Sequence, residues 1–407
     1  MMSHPDSEAV VSVPQHAPST RLITSALAVG VTLGYLGSNV MPVLLGGITT
    51  SRDLSNTAAG AIGTAQLLAT AVAALALTAR AGRPGRVLLA RWGLAAAAVG
   101  FAASRVAPDA VTLGATNVVA GLGLGIVGAM ALAALPSTAD PDRATAITVL
   151  VNVLGVAVMV AAIPLVDELF GYGNGFILIA AVCLAAMPLM GRLPDAPAVV
   201  SDARPGLADL PHKVRGALLA LGTALFAAAD IGLWSYAQII GEKHAHLRGA
   251  ALIVVLALGV VTGLVGVVAA AWTLRRWRRT YPLLAFLLAG AMAKFLIAVS
   301  PSPVVFAVCI AVWNATYPAI VLLLLTIGTS LDVRGRWNAA LGGALGLGTA
   351  IGPLVAGAAL DVGYLTLGLV LLAVTMVAIT LLMVVAVRTR GEAAGAAVIA
   401  PPGAAVP

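Results

Sequence analysis

The sequence predicts an all-α membrane protein of twelve transmembrane helices in two pseudo-symmetric six-helix halves. Three observations carry that prediction. Of 407 residues, 60% are hydrophobic and 10% charged, with a mean hydropathy of +1.03; a soluble domain of this size needs more polar surface. The apolar residues fall in continuous runs near the roughly 20 residues a helix needs to cross a bilayer, without the alternation of a transmembrane barrel. Two arginine clusters stand at matching places in the chain, Arg80, Arg83 and Arg86 before the third run and Arg275, Arg276, Arg278 and Arg279 before the ninth.

In order, the spans of the first half are expected near 22–48, 57–79, 87–106, 111–136, 144–166 and 174–192. Those of the second lie near 214–240, 249–273, 281–300, 303–329, 337–360 and 363–388. They divide the chain into a disordered cytoplasmic N-tail (1–20), an N-terminal half (21–192), a cytoplasmic linker (193–213), a C-terminal half (214–388) and a disordered C-tail (389–407). The linker holds Pro194, Asp195, Pro197, Asp202, Pro205, Asp209 and Pro211 with no apolar period. The polar first residues make span one an uncleaved anchor rather than a signal peptide. Ala, Gly, Val and Leu fill the spans, and small residues let membrane helices approach closely. Cys183 and Cys309 fall within spans, without metal or disulfide spacing, and are expected to pack.

The formal charge of +7 would suggest nucleic acid in a soluble protein, but its distribution is topological. With the N-terminus inside, eighteen basic residues fall in inner loops and tails and four (Arg52, Arg105, Lys243, Arg248) in outer loops. The positive-inside rule then places both termini in the cytoplasm, with lipid headgroups as the partner of the basic excess and no role for nucleic acid. The Arg-over-Lys bias and Ala/Gly richness suggest a high-GC bacterium, hence a bacterial plasma membrane.

Weak internal similarity supports a duplicated half. Pro164 in span five is matched by Pro353 in span eleven, Asn117 in span four by Asn314 in span ten, and Asn39 in span one by Asp230 in span seven. With these motifs the chain resembles the major facilitator superfamily over nearly its whole length. The family's loop signature Gly-x-x-x-Asp-Arg-x-Gly-Arg-Arg is matched at Arg83, Gly85 and Arg86, while Gly82 takes the acidic position that in the family helps latch the outward-open state. The fourth-span signature Arg-x-x-x-Gly-x-Gly is similar to Asn117-x-x-x-Gly121-x-Gly123, and Gly348, Gly352 and Pro353 resemble the antiporter motif. The resemblance implies a fold in which spans one, four, seven and ten line a central cavity.

Asp230 lies about ten residues from the outer end of its span, near the bilayer midplane at ~1.5 Å per residue. A lone carboxylate there is costly, so it is read as a proton-coupling site or counter-charge facing the bundle interior, against the alternative of an interhelical hydrogen bond. Phe226, Asp230, Trp234 and Gln238 share a helix face at four-residue spacing. Phe226 and Trp234, with Tyr35, Asn39, Asn117, Trp313, Asn314 and Tyr317, form the expected substrate-binding set, an apolar pocket with a few oriented polar groups. Asn152 and Gln66 are divided between cavity and helix packing. Lys294, about six residues from its span's outer end, lies within reach of snorkelling to the interface and is given a structural role; a pair with Asp230 is the lesser alternative, because the resemblance puts span nine at the periphery. Arg83, Gly85, Arg86, Arg275 and Arg276 are read as gating loops, against topology alone. His244, His246 and Glu242 read as a solvated loop rather than a metal site.

No Gly-x-x-x-x-Gly-Lys-Ser/Thr loop is present, and no cofactor is implied. The expectation is a monomeric secondary transporter of a small organic solute, driven by protons, with efflux placed before uptake of a nutrient. The absence of an arginine or lysine pair among the cavity residues weighs against phosphate, nitrate or dicarboxylate and towards neutral, aromatic or cationic compounds. A non-transporting sensor or scaffold and a lipid flippase are the competitors. An enzyme is disfavoured, since no nucleophile–base pair or metal cluster is visible.

Overall fold

A computed structural model describes residues 20–77, 80, 84–138, 140–195, 211–332 and 336–399. Among these, thirteen α-helices and one short 3-10 turn (Leu135–Ser137) account for the regular structure, with no strand. The helices are α1 Thr20–Asn39, α2 Met41–Arg52, α3 Asn56–Leu77, α4 Arg86–Val106, α5 Ala110–Ala134, α6 Pro141–Phe170 and α7 Asn174–Met190, then α8 Lys213–Lys243, α9 Ala250–Arg276, α10 Thr280–Val299, α11 Pro303–Leu331, α12 Arg336–Val362 and α13 Tyr364–Ile399. Eleven are long and apolar enough to cross a membrane. This is a multi-pass membrane protein.

Three elements differ from expectation. The first span is broken at Val40 into α1 and α2. Pro42 lacks an N–H and its ring crowds the carbonyl one turn back, so the chain bends there. Helix α7 has only seventeen residues, about 25 Å at ~1.5 Å per residue. Helix α13 continues to Ile399, past the expected end at 388. Pro164, read as near the end of span five, is held inside α6. Gly82 and Arg83, most of the linker and the extreme tails lie outside the described residues.

Glycines set the helix spacing. A Cβ on Gly121 would collide with the Gln66 carbonyl of α3, and one on Gly123 with the Gly93 carbonyl of α4. On α12, Gly348 and Gly352 are pressed in the same way against the backbone of α8. The glycine motifs of the sequence thus let helices meet at backbone distance.

The core is asymmetric along the bundle axis. Short connections make the helices alternate in direction, so the starts of α1, α4, α6, α8, α10 and α12 share one end, here the arginine end. Towards the opposite, far end, a single apolar cluster runs from α1–α7 into α8–α13, through residues such as Leu36, Met41, Leu233, Tyr236, Ile310 and Ala356. Towards the arginine end a separate cluster forms within α8, α10, α11, α12 and α13 around Leu219, Phe226, Leu287, Leu323 and Leu382. The two groups of helices are fused at the far end.

Polar ties close that end. Tyr236 Oη donates to the carbonyls of Asn56 (2.7 Å) and Pro353 (3.0 Å). Asp361 on α12 caps α3 from outside it: Oδ1 accepts from Asn56 N and Nδ2 (3.0 and 2.9 Å), Oδ2 from Thr57 N and Oγ1 (2.8 and 2.6 Å). The otherwise orphaned N-terminal amides of α3 are satisfied across the boundary between helix groups.

Candidate functional site

Asp230, midway along α8, carries the site. It is 1% exposed, as is Lys294 on α10, and Lys294 Nζ lies 2.7 Å from Asp230 Oδ2. Trp313 on α11 donates its indole N–H to Asp230 Oδ1. Each carboxylate oxygen therefore has a donor, and the ammonium also lies over the Phe226 ring, 5.4 Å from its centre.

This corrects the expectation for Lys294. It does not snorkel; its four-carbon stem turns inward and the charge is buried. Two opposite charges at membrane depth are each costly alone, and pairing is the arrangement that makes both tolerable. One buried lysine therefore stands at the site, although no arginine or lysine pair does, and its charge is met by Asp230.

The pair is walled by aromatic rings. Phe226 stacks on Tyr317 (centroids 5.6 Å, 16° between planes), and Trp234 lies against Trp313 (5.9 Å, 56°). Trp234 Nε1 donates to the Asn39 carbonyl on α1 (2.9 Å), next to the break in the first span. Asn39 Nδ2 in turn donates to Asn152 Oδ1 on α6 (3.5 Å). Tyr35, one turn before Asn39 on α1, is 51% exposed.

Of the expected binding set, Tyr35, Asn39, Phe226, Trp234, Trp313 and Tyr317 are brought into this neighbourhood. Asn314 is on the same helix, half-buried, with its amide returned to the Ile310 carbonyl (3.0 Å). Asn117 stands apart: it is buried against α4, donating to Ser104 Oγ (3.3 Å) and its own helix at Leu113 O (2.8 Å). Gly121 and Gly123 turn that face of α5 into a packing surface, so its amide meets helix rather than cavity. Gln66 is likewise enclosed within the first helix group. Cys183 and Cys309 are buried and free.

The loop residues divide. Gly85 has φ +105°, a conformation that favours glycine. Asp195, after α7, accepts from the amides of Gly85 (2.9 Å) and Arg86 (2.7 Å), and Arg86 Nη1 reaches the Pro194 carbonyl (3.3 Å). Sequence reading missed Asp195, an acid supplied from the linker to the start of α4. Arg275 and Arg276 are exposed at the end of α9, while Arg83 is outside the described residues.

A cavity of about 270 Å³ opens at the far end between α2, α6, α8 and α9; its walls include Asp167, Glu168, Tyr172, Gln238 and Glu242. Gln238 Nε2 donates to Glu242 Oε1 (3.0 Å) and Asp167 Oδ1 accepts from Gly175 N (2.7 Å). Burial pushes the Tyr172 phenol up from its usual range. Beside it, His244 stacks on Tyr364 (4.1 Å) rather than meeting His246.

The model of the Major Facilitator Superfamily matches residues 27–332. No curated protein matches the chain. Among solved structures, a mutant of the nucleoside transporter NupG superposes with a TM-score of 0.73 at 12% identity, over 89% of this chain and 99% of that one. A bacterial homologue of the human lysosomal transporter Spinster, inward-facing and unoccupied, gives 0.71 at 16% identity over 93% and 98%. A bacterial homologue of the human drug peptide transporters PepT1 and PepT2 gives 0.71 at 13% over 93% and 100%. At these identities the likeness is one of fold.

Proposed function

The chain belongs to the Major Facilitator Superfamily, and on that premise we propose that it is a secondary active transporter that moves a small organic solute by alternating access and couples it to protons at Asp230. In this reading the twelve spans form two six-helix halves, 21–192 and 214–388, joined by the 193–213 linker. The protein acts as a monomer in a bacterial plasma membrane with both termini in the cytoplasm. A bundle fused at the far end but carrying separate cores at the arginine end is then the inward-open member of the cycle.

The single observation that carries the reading is the Asp230–Lys294 pair, buried at membrane depth beneath an aromatic wall. A proton on Asp230 removes the charge that holds Lys294 and competes with the Trp313 hydrogen bond. Since Trp313 also touches Trp234, and Phe226 touches both Lys294 and Tyr317, the protonation state acts directly on the rings that face the solute. Binding of solute and of proton are thereby linked, and linkage is reciprocal.

The rings, with the amides of Asn39 and Asn314, suit an aromatic or planar solute held by stacking and few hydrogen bonds. Efflux of such compounds is the direction proposed. A cationic solute is the second reading, favoured by Asp167, Glu168 and Glu242 on the walls of the far-end cavity. Asp230 itself is a poor counter-charge for a cation, because Lys294 already neutralises it.

Retention of aromatic and cationic compounds in efflux-deficient cells tests this. Cells expressing the wild type should retain less of a transported compound, and a protonophore or Asp230→Asn should restore retention. Equal retention in all three for every compound would sink the efflux reading, and accumulation with wild type only would reverse the direction.

A further inference from the structure

The two arginine clusters hold the same place in the sequence but meet different surroundings. In the first, Arg86 turns into the protein while Arg80 is exposed. Arg86 is 1% exposed, with Asp195 on its amide and the Pro194 carbonyl on its guanidinium.

The second faces outward. Arg275, Arg276 and Arg278 are exposed, and Arg279 donates to the Thr326 carbonyl (3.3 Å). Trp272 and Trp277 are also exposed and meet edge to face at 5.8 Å. The Arg276 guanidinium lies 4.8 Å over the Trp272 ring, and Tyr281 is exposed at the start of α10. No Asp or Glu occurs between Glu242 and Asp332, and Asp332 is taken by Arg336 at 2.7 Å. No acidic residue lies on α9, α10 or α11.

We propose that this loop is a binding site for the headgroup of an anionic phospholipid. The chemistry is specific on three counts. Guanidinium forks match the paired oxygens of a phosphodiester. Exposed Trp and Tyr settle at the depth of the headgroups, placing the arginines beside lipid phosphate. Topology alone asks only for positive charge, whereas here four arginines in five residues are gathered around ring-supported geometry. The site stands whichever solute the protein carries.

The test is native mass spectrometry of the purified full chain titrated with phosphatidylglycerol or with phosphatidylcholine of the same acyl chains. The wild type should hold phosphatidylglycerol at least about tenfold more tightly, a margin of ~1.4 kcal/mol. The triple variant Arg275→Gln, Arg276→Gln, Arg278→Gln should lose that margin, while Arg143→Gln, an exposed arginine at the same end, should keep it. Molar salt should abolish the preference of the wild type as well, an arm that holds even if the triple variant does not fold. Equal binding of the two lipids, or an unchanged triple variant, would overturn the proposal. So would full displacement of the lipid by excess glycerol phosphate, which would mark a site for free phosphate instead.

Discussion

Lys294 Nζ is 2.7 Å from Asp230 Oδ2, and both side chains are about 2% exposed, on helices α10 and α8. The ion pair joins the middle of α8 to α10, while the Trp313 indole, the Phe226–Tyr317 stack and the Trp234–Trp313 contact join it to α11.

Breaking the pair from one side should therefore cost more than removing it. Lys294→Met leaves an uncompensated buried carboxylate and should destabilise the protein by about 3–5 kcal/mol. Adding Asp230→Asn should recover most of that loss. Thermal unfolding of both single variants and the double variant, analysed as a double-mutant cycle, gives the coupling energy. Additive losses would mean that the two charges do not act as a unit.

Closure of the far end rests on named hydrogen bonds. Tyr236→Phe removes a donor shared by Asn56 and Pro353, worth ~1 kcal/mol. The population open at the far end should rise about fivefold on that scale. Labelling of Asn39→Cys by a membrane-impermeant thiol reagent, in a background lacking Cys183 and Cys309, reads this out. Asp361→Ala, which strips the cap from α3, should move labelling in the same direction. Slower labelling in either variant would contradict the assignment of this end as the closed one.

The glycine contacts predict which small residues cannot grow. Gly121→Val drives two methyl groups into the Gln66 carbonyl and should cost about 1–3 kcal/mol as overpacking. Gly85→Ala meets no neighbour but carries the positive φ, so its cost is backbone strain alone. Unfolding temperatures of the two variants separate crowding from conformation.

One far-end cap gives a pH prediction. Asp109 accepts from Thr112 N at 2.8 Å, which holds its carboxyl below the usual carboxylate range. A group whose folded value is lowered stabilises the fold above its unfolded value near ~3.9 and loses that contribution as pH falls through the folded value. Wild type and Asp109→Asn should therefore differ in unfolding temperature at neutral pH and converge under acid. A difference growing towards low pH would contradict the cap.

The spans were readable because lipid demands long apolar runs and small residues at helix contacts; eleven helices are long and apolar enough to cross a membrane, and the run at 174–192 is met by the shorter α7. The break at Val40 was signalled by Pro42 but lay inside one continuous apolar run. Asp230 stood out as a charge in such a run, and its aromatic neighbours followed from four-residue spacing. Lys294 stood out as the other charge within a run, but a side chain near a helix end can turn inward or outward, and sequence spacing does not decide between a pair with Asp230 and the interface. Asn117 matched a motif position, yet its contacts are set by how closely Gly121 and Gly123 bring α5 to its neighbours. Asp195 and Asp361 act on helices far away in sequence, a relationship that no local pattern records.

The most direct test of the account is transport by purified protein in liposomes containing a trapped pH dye. With a transported aromatic compound, wild-type protein should move protons against the compound's flux, and the compound should be driven by an imposed pH gradient alone. Asp230→Asn should retain binding of the compound but show neither proton movement nor gradient-driven transport. Proton-coupled transport by Asp230→Asn at the wild-type rate would contradict the central claim.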